Sequence, residues 1–131
     1  MGKFTKRLRK INKNLRNVLV VGSAFGIFEE LVEEASTVFI VYPKDSSPRG
    51  KNLVYRESLD SIHVLYDIDS IILDKDSLHH LPELEQVWKK SSVSIVIEGG
   101  TEVSVEYWKF LKSRRFQIVD IHKRCHIWKL T

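Results

Sequence analysis

Gly22-Ser23-Ala24-Phe25-Gly26 is the stretch of this 131-residue chain best suited to hold a ligand. Glycine and alanine carry little or no side chain, so backbone N–H groups there can come close to a bound molecule. The plainer alternative is a tight turn with nothing bound. Residue types able to do chemistry follow downstream. Asp74 closes an apolar run, and Glu98 leads into Gly99-Gly100. Glu98 could serve as a general base, or the glycines could simply form a loop. His79 and His80 are adjacent, and His122, Cys125 and His126 cluster near the C-terminus. In an extended strand, positions 122, 124 and 126 share a face while 125 points away. One face then offers two histidines and an arginine, short of a four-ligand zinc set, so no metal site is expected. Cys125 is the single cysteine; it excludes an internal disulfide, suits a reducing compartment and fits a small core residue better than a nucleophile.

Several familiar sites are excluded by what stands in the glycine turn. A serine nucleophile elbow needs Ser where Ala24 stands. A Walker loop needs Gly-Lys-Ser/Thr, which is absent, and a dinucleotide turn needs glycine at 24 and 27, where the chain has Ala24 and Ile27. A magnesium-binding receiver domain would want acids at the end of the first strand, and there are none.

The elements that must position these residues are legible from periodicity. Val18 to Val21 form a continuous apolar run ending in Gly22, as expected of a strand buried on both faces. Phe25, Phe28, Glu29, Val32 and Ala35 follow at helical spacing. A second strand, Thr37 to Val41, stops at Tyr42-Pro43. Lys44 to Gly50 is a polar loop. Asn52 to Arg56 reads as a weaker strand, Glu57 to Asp67 as short helix and turn, and Ser70 to Asp74 as a buried strand. Leu81-Pro82 opens a helix with Glu83 and Glu85 early and Lys89 and Lys90 late, an order that suits the helix dipole. Ser92 to Ile97 is the next strand, and a helix over roughly 102–114 is expected to bury Val105, Trp108 and Leu111 or their neighbours. Phe116 to Ile121 and Cys125 to Leu130 are too close in sequence for a parallel crossover, so they must form an antiparallel hairpin. Alternating strand and helix implies a parallel sheet with helices on both faces. The expected architecture is α/β, three-layer and Rossmann-like, mostly parallel with a C-terminal antiparallel β-hairpin. Residues 1–131 are expected to form a single domain, with 1–16 as a basic helix and 17–131 as the core.

Charge is unevenly placed. The chain carries a formal +4, yet Lys3, Lys6, Arg7, Arg9, Lys10, Lys13 and Arg16 all precede the first acid, Glu29. The remainder holds 14 basic against 17 acidic residues. Phe4, Leu8, Ile11 and Leu15 fall at spacings of four, three and four, which makes the arm an amphipathic helix. Its apolar stripe can pack on the sheet with its charges solvated. A nucleic acid, an anionic membrane or an acidic partner could instead be met through residues 3–16. The apolar run over 18–28 is too short to span a bilayer and is followed at once by four glutamates, so neither a transmembrane segment nor a secretory signal is expected. A cytoplasmic protein is expected.

The order of elements, with Gly22-Ser23-Ala24-Phe25-Gly26 after the first strand and a closing antiparallel hairpin, resembles the class I, Rossmann-like S-adenosylmethionine-dependent methyltransferases. That resemblance implies a cofactor, S-adenosylmethionine, over the glycine turn. Gly22 and Gly26 match the family's G-x-G-x-G, and Ala24 replaces the middle glycine. It implies cofactor contacts from Gly22, Ser23, Ala24, Gly26, Tyr42, Glu57 and Asp74. Tyr42 stands near where the family carries its ribose-binding acid, the nearest acid here being Asp45. Glu57 stands where the family holds the adenine amino group, and Asp74 where catalytic loops begin. The base-amine motif [DN]-P-P-[YF] is absent, since the chain reads Asp74-Lys75-Asp76-Ser77. The activity implied is methyl transfer to an unspecified acceptor, with a homodimer or partner subunit completing the substrate pocket. The alternative is a catalytically degenerate Rossmann-like module that binds protein or RNA.

Overall fold

The computed structural model describes residues 3–11, 15–22, 35–43, 51–59, 67–99, 105–122 and 125–131. The elements are α1 (Lys3–Ile11), β1 (Asn17–Val21), β2 (Thr37–Val41), β3 (Leu53–Arg56), β4 (Ser70–Leu73), a 3-10 turn (Lys75–His80), α2 (Leu81–Lys90), β5 (Ile95–Gly99), α3 (Val105–Ser113), β6 (Phe116–His122) and β7 (Cys125–Leu130). The seven strands form one sheet in the order β3-β2-β1-β4-β5-β7-β6. Strands β1 to β5 are mutually parallel, and β7 lies antiparallel between β5 and β6. The expected mostly parallel sheet with a terminal antiparallel hairpin is therefore present.

The apolar runs form central strands because both of their faces are covered. Val18 and Val20 of β1 join Leu8, Leu15, Val38, Ile40, Ile72, Ile97 and Ile127 on one side of the sheet. Leu19 and Val21 join Phe39, Ile71, Leu73, Leu84, Val87, Tyr107, Leu111 and Trp128 on the other. Successive strand residues point to opposite faces, so a run without alternation is what two covered faces require.

Leu8 of α1 is wholly buried in the first of these cores, with Ile11 packed beside it. Arg7 donates to the Ile121 carbonyl at 3.1 Å and stands 3.6 Å from Asp120, joining the arm to β6. Leu8, Ile11 and Leu15 of the arm therefore pack on the sheet, while Lys6 and Lys10 stay exposed. In α3 the buried face is Tyr107 and Leu111, whereas Val105 and Trp108 are 62% and 46% exposed. The stripe is rotated from Val105 and Trp108 toward Tyr107, whose hydroxyl reaches a carbonyl at the end of β4. Among the described residues no helix is long and apolar enough to cross a membrane.

At the amino edge, Asp69 holds three elements together. Its Oδ2 accepts the backbone N–H groups of Arg16 and Asn17 at 3.0 and 2.7 Å, and its Oδ1 accepts the Ser70 hydroxyl at 2.8 Å. Its carbonyl receives the N–H of Ser94 at 2.9 Å.

Candidate functional site

Strand order reverses on either side of β1, which has β2 on one flank and β4 on the other. In an open α/β sheet such a switch point leaves a crevice over the carboxyl ends of the strands. Gly22 occupies it, with φ of +89° and its N–H donating to the Val41 carbonyl at 3.0 Å. A Cβ there would lie 2.2 Å from Asp74 Oδ2 and 3.2 Å from Ser77 Oγ. Both conformation and space demand glycine at this position.

Asp74, just past β4, is buried and held firmly. The Ser77 hydroxyl lies 2.9 Å from Asp74 Oδ1 and 3.1 Å from the Val21 carbonyl, bridging the ends of β4 and β1. The Asp74 carbonyl receives the Ser77 N–H at 3.1 Å and the Tyr107 hydroxyl at 2.7 Å. A carboxylate is thus fixed against the first glycine of the turn.

Tyr42 follows β2 with a left-handed φ of +49°. Its hydroxyl donates to Glu83 Oε2 at 3.0 Å, and its ring stacks on His80 at 4.0 Å and 5°. Because β1 lies between β2 and β4, this contact joins the two flanking strands past the end of β1. His79 packs against His80 at 3.8 Å. His80 Nδ1 is buried, 3.7 Å from Glu83 Oε1, and has no hydrogen-bond partner among the described residues. Burial, reinforced by His79, holds the His80 imidazole below the ordinary histidine value, with Glu83 and Asp74 pulling the other way.

On the far side of Tyr42 a cavity of about 370 Å³ opens at the carboxyl ends of β2 and β3, lined by Tyr42, Pro43, Tyr55, Arg56 and Glu57. Its size falls within the roughly 300–1,000 Å³ usual for small-molecule sites. Two aromatic rings give it flat apolar walls, and an arginine and an acid give it polar ends. Further along the same edge, Glu98 is wholly buried on β5 and accepts the Trp128 indole N–H at 3.2 Å.

Of the residues singled out from sequence, Gly22, Tyr42 and Asp74 stand at one edge around the end of β1, and Glu57 lines the adjoining cavity. Ser23, Ala24 and Gly26, like Asp45, lie outside the described residues. Sequence reasoning did not tie Ser77 or Glu83 to this site, and it noted His80 only as the neighbour of His79. The Asp74-x-x-Ser77 spacing at the start of a helical turn was a usable signal for the first. Nothing local announces Glu83, which reaches Tyr42 from an element 41 positions away.

Among the described residues, five parallel strands, an antiparallel β7 and Gly22 at the switch point make a Rossmann-like α/β fold, the fold that class I methyltransferases also have. No protein-family model matches the sequence, and no curated protein matches it. Solved structures do match. A methyltransferase from Geobacter sulfurreducens shares 17% identity at a TM-score of 0.62, over 100% of this chain and 80% of that one. Magnesium protoporphyrin IX methyltransferase from Synechocystis, with bound S-adenosylmethionine, shares 11% identity at a TM-score of 0.58, over 98% and 77%. Precorrin 8w decarboxylase from Methanobacterium thermoautotrophicum shares 14% identity at a TM-score of 0.56, over 100% and 91%. At such identities the likeness is one of fold, and a fold hosts more than one reaction.

Proposed function

We propose that this protein binds S-adenosylmethionine at the carboxyl edge of its sheet and transfers the methyl group to an acceptor. The observation that carries this reading is Gly22: a positive φ at the switch point, with no room for a side chain beside Asp74. In this reading the backbone at Gly22, continued by Ser23, Ala24 and Gly26, takes the polar methionine portion. The cavity at β2 and β3 takes the adenosine, with Tyr42 and Tyr55 as walls and Glu57 as acceptor for the adenine amino group. Asp74 lies closest to the turn, where a carboxylate favours a cationic ligand by simple Coulomb attraction.

When bound, the cofactor supplies an electrophilic methyl group. The chain's own contribution is then mainly placement: Gly22, a buried carboxylate and an aromatic wall hold the reactant in line, and orientation alone accounts for much of the acceleration in such reactions. Residues 1–131 would act as one unit in the cytoplasm, with a second copy or a partner subunit completing the acceptor pocket.

A second reading is favoured by Tyr42. It stands near the place of the family's ribose acid, and its side chain is already engaged with Glu83 and His80. A binding module that keeps the fold without transferring a methyl group would tolerate that. Calorimetric titration with S-adenosylmethionine and S-adenosylhomocysteine separates the two. Saturable heat with both ligands supports the first reading. Absence of heat and of any melting shift at millimolar ligand leaves only the second.

A further inference from the structure

Val21, Leu73, Glu98 and His126 stand in register across β1, β4, β5 and β7. Their side chains therefore leave the same face of the sheet, at its carboxyl edge. Val21 and Leu73 are buried and apolar, and a purely structural row would continue so. Instead it ends in a buried carboxylate and an imidazole. A carboxylate is tolerated in such a place only where polar groups answer it. Trp128, two residues along β7, donates to Glu98 Oε2, and His126 Nδ1 stands 3.7 Å from that same oxygen. The second distance is too long for a hydrogen bond. His126 Nδ1 is shut off from solvent and has no hydrogen-bond partner among the described residues. Long contacts of this kind between catalytic groups commonly close once a site is filled. Glu98 is wholly buried, whereas His126 keeps 8% of its surface exposed. Of the pair, His126 is the one a bound molecule can touch.

The nucleoside-sized cavity lies at β2 and β3, and Gly22 follows β1. The ends of β4, β5 and β7 are left for the second reactant. We propose that His126 is the general base of this site, held in its working tautomer by Glu98, and that the acceptor it serves is a hydroxyl compound. This rests on the reading of the edge as an S-adenosylmethionine site. With its Nδ1–H directed at Glu98, His126 presents the lone pair of Nε2. The acceptor O–H gives its proton to Nε2, and the oxygen's electron pair forms the new O–CH3 bond. The C–S bond breaks with its pair remaining on sulfur, which passes from sulfonium to neutral thioether. The imidazolium left on His126 is matched by the Glu98 carboxylate. A neutral amine can attack before losing its proton, but a hydroxyl gains directly from a base, which is why the pair points to oxygen. Glu98 acts through His126 and is a positioning residue.

The test uses the whole chain, labelled S-adenosylmethionine and a panel of simple phenols and primary alcohols as probes. Cofactor binding is measured separately by calorimetry. For the best probe, His126→Gln should lower the methylation rate about 100-fold or more while cofactor affinity stays within about twofold. His126→Asn replaces it if the glutamine variant fails to fold. Nitrogen-15 spectra of the cofactor-free protein should show His126 as the Nδ1–H tautomer, a preference lost in Glu98→Leu, which removes the acceptor that faces the ring. Wild-type protein that binds no cofactor removes the underlying reading and this proposal with it. Protein that binds cofactor but methylates no hydroxyl probe, or an unimpaired His126→Gln, overturns the assignment of the base alone. An unchanged tautomer preference in Glu98→Leu overturns the role of Glu98.

Discussion

Replacing Gly22 by alanine probes the turn and Asp74 together. The native φ of +89° is one that L side chains rarely adopt, which costs about 1–2 kcal/mol for a residue with a Cβ. The new methyl would also lie 2.2 Å from Asp74 Oδ2, so the carboxylate must swing away. Doing so loosens its contact with the Ser77 hydroxyl at 2.9 Å, and a hydrogen bond to a charged group contributes about 1.5–3 kcal/mol. Gly22→Ala should therefore destabilise by about 2.5–5 kcal/mol, read as a lower urea midpoint with an unchanged slope. Asp74→Ala removes the same hydrogen bond by itself. In the double variant the clash has nothing left to displace, so the double should be scarcely worse than Gly22→Ala alone. That is a favourable coupling of about 1.5–3 kcal/mol in a double-mutant cycle. Strictly additive losses, or a loss under 1 kcal/mol for Gly22→Ala, would refute the contact between turn and carboxylate.

Three further outcomes are expected. The His80 imidazole is held below its ordinary value of 6.5, so as pH falls the unfolded chain takes up the proton first. His80 therefore contributes stability that is full above about pH 6.5 and lost as pH falls through the lower folded-state value. His80→Phe, which keeps a ring against Tyr42, should flatten that part of the melting-temperature profile; an unchanged slope would place the titration elsewhere. Asp69→Ala removes three hydrogen bonds at the amino edge and should cost about 2–3 kcal/mol, at roughly 1 kcal/mol each, whereas Asp69→Asn keeps an acceptor and should cost less than half of that by denaturant titration. Arg115 ends the turn after α3 with φ of +67°, so Arg115→Gly should stabilise by about 1 kcal/mol and raise the melting temperature.

The sheet was legible because its strands are buried on both faces: Val18 to Val21 and Ser70 to Leu73 read as uninterrupted apolar runs ended by Gly22 and Asp74. The antiparallel hairpin followed from the short connection alone, since the three residues between Ile121 and Cys125 cannot make a parallel crossover. In α3 Leu111 is buried as expected, but Trp108 gives way to its neighbour Tyr107 and Val105 is exposed, because all of them fit the helical period. What decides between them is the Tyr107 hydroxyl bond to the Asp74 carbonyl, a tertiary contact. Within the site, glycine and acid carried local signals. The Tyr42–Glu83 and Glu98–His126 pairs did not: the first joins the end of β2 to helix α2, and the second depends on the register between β5 and β7. Neither pair has a spacing that the sequence alone would mark.

The location of bound S-adenosylhomocysteine bears most directly on the function proposed. Backbone amide shifts recorded during its titration should change at Gly22, Tyr42, Tyr55, Arg56 and Glu57, around the cavity of about 370 Å³ at the carboxyl edge. A second cavity, of about 610 Å³ and lined by Trp88, Ser91, Ser92, Val93, Ser94, Arg114 and Leu130, lies at the amino edge and serves as the internal control. Saturable changes confined to the carboxyl edge are the expected result. Changes centred on Trp88 and Arg114, or none at millimolar ligand, would contradict a cofactor site at Gly22.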